Sequence, residues 1–143
     1  MPSSFTFKLS RLRKRGPTCW VTIKPSEPTI KELKLGKKKV PSFKILALID
    51  TGASSTAVSR EVIKKLKLVP RGMVEVYTSN KVSEMRNEFD ISLAFDENAY
   101  LPLLRVLEAN LQDHKIDCLI GRDVLQFGVF TYNGPKKQVK LSF

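Results

Sequence analysis

The stretch "ALIDTGASSTAVS", Ala47 to Ser59, decides the fold of this chain. Just upstream, "FKILALID" carries apolar residues at both parities, the pattern of a strand covered on both faces. That run ends on Asp50. An unpaired buried charge is costly. Asp50 is therefore either a surface residue just past a strand end, where Asp-Thr-Gly is good turn chemistry, or a carboxylate held half-buried for a reason.

The flanking sequence is mostly β. "SFTFKLS" alternates Phe5, Phe7 and Leu9, and "TCWVTI" (Thr18 to Ile23) is rich in β-branched and aromatic residues. Ser26 and Pro28 suit the start of a short helix that ends at Gly36. After Asp-Thr-Gly, "AVSREVIKKLKLVP" has helical spacing at Val58, Val62, Ile63 and Leu66, with Ser59 as its cap and Pro70 as its stop. "GMVEVYTS" and "NEFDISLAF" alternate with period two and predict a hairpin over residues 74–95, with a polar tip from Thr78 to about Glu88. "YLPLLRVLEA" reads as a strand, "IDCLIG" as a short buried strand, and "RDVLQF" as a turn or two of helix. The chain closes on a hairpin with Asn133-Gly134 as its turn. The sum is a closed or partly closed barrel with one or two short helices.

With 143 residues, 42% of them hydrophobic, the chain has material for one domain and one core. No apolar run approaches the roughly 20 residues of a membrane span, and the N-terminus lacks the apolar centre of a signal peptide, so a cytoplasmic location is expected. Cys19 and Cys118 are too few for a disulfide framework and read as free, buried thiols. The formal net charge is +11, and it is uneven: residues 1–40 hold eleven Lys/Arg against only Glu27 and Glu32. Such a basic segment can bind nucleic acid, anionic lipid or an acidic protein, or simply be a solvated face. "RLRKR" and "KKK" have no interleaved aromatic residues and no nucleic-acid module around them. Residues 1–17 are set apart as a basic N-terminal segment from a domain over 18–143. Trp20 and the eight phenylalanines are assigned to the core, and His114 to the surface. No histidine, cysteine or carboxylate cluster has metal-ligand spacing, so no metal and no cofactor is expected. Ser54-Ser55 lacks the base and orienting group that a nucleophile needs.

"ALIDTGASST", the hairpin over 74–95, "CLIGRDVL" and the last strand "QVKLSF" stand in an order that resembles the retropepsin-like aspartic proteases, and bacterial members more than viral ones. The resemblance covers about residues 18–143. It implies an acid-protease barrel with one lobe per chain, and a homodimer in which Asp50 of each copy forms the catalytic pair. Thr51, Gly52 and Ala53 would support the active loop. Gly52, Ser54, Thr78, Ser79 and Asn80 would bind a polypeptide substrate. Thr56, Gly121, Arg122 and Asp123 would brace the loop from below, with Asp123 bonding Thr56 or nearby backbone. Two positions depart from the family's habit. The tip "TSNKVSEMRNE" has no glycine, and Ser54 stands where retroviral members carry an acid for the arginine of the Gly-Arg segment, so Arg122 needs another partner. The alternative is a non-catalytic dimeric binding module on the same fold, its basic surface meeting an acidic partner.

Overall fold

The computed structural model describes residues 3–77 and 79–143. Ten strands carry the fold: β1 (Ser4–Lys8), β2 (Thr18–Pro25), β3 (Phe43–Ile49), β4 (Ala57–Ser59), β5 (Gly72–Tyr77), β6 (Ser83–Asp96), β7 (Ala99–Ala109), β8 (Cys118–Ile120), β9 (Val129–Asn133) and β10 (Gln138–Ser142). Helices are short: α1 (Leu12–Arg15), α2 (Glu27–Leu35), α3 (Arg60–Lys65) and α4 (Arg122–Leu125), with a 3-10 turn at Gln112–His114. Four helices form among the described residues where one or two were expected: α4 is the short helical turn read at "RDVLQF", and α1 is a single turn that the sequence pattern does not separate from loop.

Six strands close a barrel in the order β2-β3-β8-β4-β7-β6, the pairing of β2 with β6 completing the ring. Closure removes the free edges that an open sheet would expose. β5 continues the sheet beyond β6 as a hairpin arm. Inside the ring the alternate residues of each strand meet. Val21 and Ile23 of β2, Ile45, Ala47 and Ile49 of β3, Ile91 and Leu93 of β6, and Val106, Cys118 and Ile120 are all at most 5% exposed. Ala47 lies between Cys19 and Cys118 in register, so a small side chain separates the two thiols. Burial pushes the Cys19 thiol up to about 12, and burial, with smaller contributions from Cys19 and nearby acids, pushes Cys118 up as well. Pro102 of β7, which has no N–H to give, sits where the β6–β7 register shifts between Ile91 and Leu93.

Residues 57–59 belong to β4, not to the helix that the spacing suggested. Val58 pairs with Cys118 and with Glu108, and tertiary pairing overrides local periodicity. The helix begins at Arg60 with Ser59 as its cap, as expected from the sequence, the Ser59 hydroxyl accepting from the Val62 N–H at 3.4 Å. The tip between β5 and β6 is also shorter than expected, because pairing persists up to Tyr77 and Ser83. The last hairpin turns over Gly134–Lys137 instead of at Asn133-Gly134. A two-residue turn would make Pro135 the first residue of the returning strand, where its missing N–H breaks the ladder. Lys137 takes the left-handed position instead, at φ 53°.

The basic N-terminal segment is not separate from the domain. β1 pairs along its length with β10, Ser3 and Phe143 exchange backbone bonds of 3.0 and 2.8 Å, and Leu12 is buried. Phe95 stacks on Phe5 at 5.9 Å and packs at a tilt on Phe143 at 5.5 Å between centroids, tying this terminal sheet (β1-β10-β9) to the barrel. Trp20 and Phe127 depart from the expected core, at 55% and 68% exposure. On β2 the inward residues are Cys19, Val21 and Ile23, so Trp20 points out.

Candidate active site

Asp50 is the first residue past β3. Its N–H donates to the Ile120 carbonyl at 2.9 Å, which carries the ladder with β8 one step beyond the strand. Its own carbonyl accepts from the Ala53 N–H, and its Oδ1 accepts from the Gly52 N–H at 2.9 Å. A Cβ at position 52 would sit 3.2 Å from that same oxygen, so glycine keeps the approach to the carboxylate open. Asp50 is half-buried, whereas Thr51, Gly52 and Ser54 are exposed.

A second loop braces the first. The Arg122 N–H donates to the Ala53 carbonyl at 2.8 Å, and its guanidinium Nη1 donates to the Thr51 carbonyl at 2.7 Å. Arg122 thus takes a backbone carbonyl as partner in place of an acid. Beneath both loops Thr56 is fully buried. Its N–H donates to Asp123 Oδ2 at 2.9 Å and its hydroxyl to Asp123 Oδ1 at 2.7 Å, while that hydroxyl accepts from the Gly121 N–H at 3.1 Å. Asp123 also accepts from the Val124 N–H at 2.9 Å. A carboxylate with several donors is well held, and each charge-assisted bond is stronger than a neutral one. Gly121 is needed for space: a Cβ there would lie 2.7 Å from the Ser55 carbonyl carbon.

Side-chain alternation fixes which face Asp50 shares. Ile49 points into the barrel, so Leu48 and Asp50 point out. Leu48 pairs in register with Leu119, Leu119 with Ala57, and Ala57 with Leu107. Ala57, Leu107, Leu119, Ala109 and Leu111 form a second apolar cluster outside the barrel. Leu107 in turn pairs with Glu88, and Glu88 with Gly72 at the root of the β5–β6 arm. The half-buried Val74 and Val76 continue that face along β5. The carboxylate therefore ends an outward apolar row that runs toward the hairpin.

Thr51 offers its hydroxyl to solvent, and among the described residues no group of the same chain meets it. Ser79 and Asn80 are exposed in the β5–β6 turn, and no hydrogen bond among the described residues joins that turn to the Asp50 loop. Thr78 lies outside the described residues. The apolar row of Leu48, Ala57, Leu107 and Leu119 was not singled out from sequence. Its signal was present in "FKILALI" and "CLIG", whose outward parity is also apolar.

An aspartyl protease family model matches residues 42–124. No curated protein matches the sequence. Among solved structures, the fold is similar to the crystal structure of a retropepsin-like aspartic protease from Rickettsia conorii, at 14% identity and a TM-score of 0.56, covering 100% of this chain and 93% of that one. The family match spans more than half of the chain, from the start of β3 through the Asp50 loop to α4, and beside a fold similar to a retropepsin-like lobe it leads to one conclusion: the chain belongs to the aspartyl protease family.

Proposed function

We propose that this protein is a homodimeric aspartic endopeptidase whose active site pairs Asp50 with Asp50 of a second copy. One observation carries the reading: a retropepsin-like lobe supplies a single Asp-Thr-Gly, presented at the rim of an apolar row. Two carboxyls about 3 Å apart cannot both ionise and so hold one proton between them. The ionised one takes a proton from a bound water, the protonated one polarises the scissile carbonyl, and the proton then passes to the leaving nitrogen. A twofold axis beside Asp50 makes the interface isologous and puts the unpartnered Thr51 hydroxyl where the other chain's loop would lie.

In this reading Gly52 N–H orients the catalytic carboxylate, and Gly52, Ala53 and Ser54 edge the cleft. The β5–β6 arm, with Ser79 and Asn80 at its tip, closes over an extended peptide held by strand addition. Leu48, Ala57, Leu107 and Leu119 favour apolar side chains beside the cut. Thr56, Gly121, Arg122 and Asp123 hold the loop. No helix among the described residues is long and apolar enough to cross a membrane. Two buried free thiols suit a reducing compartment, and we place the protein in the cytoplasm.

Asp50→Asn tests the reading through mixing. Wild type should hydrolyse unstructured casein at mildly acidic pH, and the variant should not. An equimolar addition of Asp50→Asn chains should lower wild-type activity to about half once subunits exchange, because half of the wild-type chains then sit in mixed dimers. Full activity of Asp50→Asn, or wild-type activity indifferent to the added variant while sedimentation shows only monomer, would sink the shared pair.

A further inference from the structure

The excess positive charge is a property of the fold more than of one segment. Neither residues 1–26 nor residues 124–143 contain an acid, although they are more than ninety positions apart. The terminal sheet joins them, because β1 pairs with β10 and β10 with β9. The result is one face carrying Lys8, Arg11, Arg13, Lys14 and Arg15 from one end of the chain and Lys136, Lys137 and Lys140 from the other, all exposed. Among the described residues, the four ion pairs of the protein involve none of these eight cations.

Two concavities on this face meet at Ser10 and Arg11. The first, about 420 Å³, is bordered by Lys8, Arg11, Arg15 and Trp20, with Leu46 among its walls. The second, about 730 Å³, is bordered by Arg11, Arg13, Lys14, Lys137 and Tyr132. Each holds one exposed aromatic ring, Trp20 at 55% and Tyr132 at 50%. The sequence run "RLRKR" has no interleaved aromatic residue; β2 and β9 bring two alongside it.

We propose that this double groove binds single-stranded nucleic acid. Three arginines and a lysine, at Arg11 and along the single-turn helix α1, match a line of phosphates, since guanidinium forks bond phosphate oxygens in pairs. Two aromatic faces separated by cations provide what successive bases need, stacking without sequence readout. An acidic peptide would use the charges and leave the rings idle. A membrane surface favours a convex basic face with apolar tips, and here the rings line concavities. The inference goes beyond the protease reading and does not depend on Asp50.

Trp20 is the single tryptophan of the chain, so its emission reports on one end of the groove. The test titrates the full chain into a fluorescein-labelled oligodeoxythymidine of about twelve nucleotides, within the span of site sizes of single-strand binders, and follows anisotropy. Expected are binding, quenched Trp20 emission, and a slope of log K against log salt of about −3, as for four or five phosphates on a single strand. Trp20→Ala should weaken binding about tenfold at unchanged slope. Arg11→Gln with Arg15→Gln should reduce the slope by about 1.4. Tyr132→Ala gives a second, independent aromatic arm, and circular dichroism confirms that each variant is folded. Absence of binding at low salt overturns the proposal, as does indifference to both aromatic substitutions. So does equal or tighter binding to polyglutamate at matched charge, which would assign the face to acidic polypeptides. Preferential binding to phosphatidylserine vesicles would assign it to lipid and overturn it equally.

Discussion

Thr56 is where the two active-site loops are joined, and replacing it isolates a hydroxyl from the apolar contacts around it. Thr56→Val keeps the branched shape and removes two bonds. Asp123 loses a donor at 2.7 Å, and the Gly121 N–H, in a buried position, loses its acceptor at 3.1 Å. A hydrogen bond to a charged group contributes about 1.5–3 kcal/mol, and a buried donor left unmade costs about 1–3 kcal/mol. The added methyl returns roughly 1 kcal/mol through burial. The net loss is about 3 kcal/mol, or about 10 °C in Tm for a chain of this length. Thr56→Ser does the reverse: it keeps the hydroxyl and gives up a methyl, for about 1 kcal/mol.

The ranking is the decisive part. Apolar burial alone makes serine the worse replacement, and the network makes valine the worse one. Urea unfolding of both variants, with unchanged slope m as the check on two-state behaviour, measures the order. A double-mutant cycle of Thr56→Val with Asp123→Asn should show coupling of more than about 1 kcal/mol. A valine variant as stable as the serine variant, or an additive cycle, would refute the claim that this hydroxyl clamps the loops.

Three other outcomes follow from the same geometry. Gly121→Ala should cost about 3 kcal/mol or more by overpacking, since its Cβ meets backbone of Ser55 and Ala53 at 2.7–3.0 Å, whereas Gly134→Ala, with only a Tyr132 ring carbon at 3.7 Å, should be neutral in the same melt. The Cys19 thiol, raised in the folded state from 9.0 to about 12, adds stability that is complete below pH 9 and lost as pH rises toward about 12; at pH about 10.5 the loss is roughly 2 kcal/mol relative to a Cys19→Ala variant, and parallel stability curves for the two proteins would show the reasoning wrong. Leu119→Ala should lower kcat/KM on casein-derived peptides with apolar residues at the cut by about tenfold, measured under conditions where circular dichroism shows the variant folded since it also loses about 1–2 kcal/mol of packing, and an unchanged kcat/KM would remove Leu119 from the cleft wall.

The strands were readable because their chemistry is local. Val21 and Ile23, or Ile91 and Leu93, announce an inward face by type, and "ALIDTGAS" with "LIGRDVL" marks the two loop-forming strand ends. The helix α1 was not readable, since four residues are too few to show a helical period, whereas α4 was legible in "RDVLQF" after the glycine that ends β8. The last turn was misplaced because Asn-Gly is a strong hairpin signal only when the next residue can donate to the ladder, and Pro135 cannot.

Outward faces were the harder part, and the reason is register. In "TCWVTIK" the inward set is Cys19, Val21 and Ile23, so the position of Trp20 followed from the alternation, yet hydrophobicity alone assigned it to the core. A shift of one residue in pairing exchanges the two faces of a strand. Whether Leu119 walls a cleft or fills the barrel therefore depends on a partner strand some sixty residues away, at Ala57. The charged face is the extreme case. Lys8 and Lys140 are brought together only because Thr6 pairs with Lys140 and Lys8 with Gln138. What reads along the chain as a basic arm at one end and a few lysines at the other becomes one basic sheet face once β1 lies on β10. The functional content of that surface, like the apolar row beside Asp50, resides in long-range pairing that no local run of residues records.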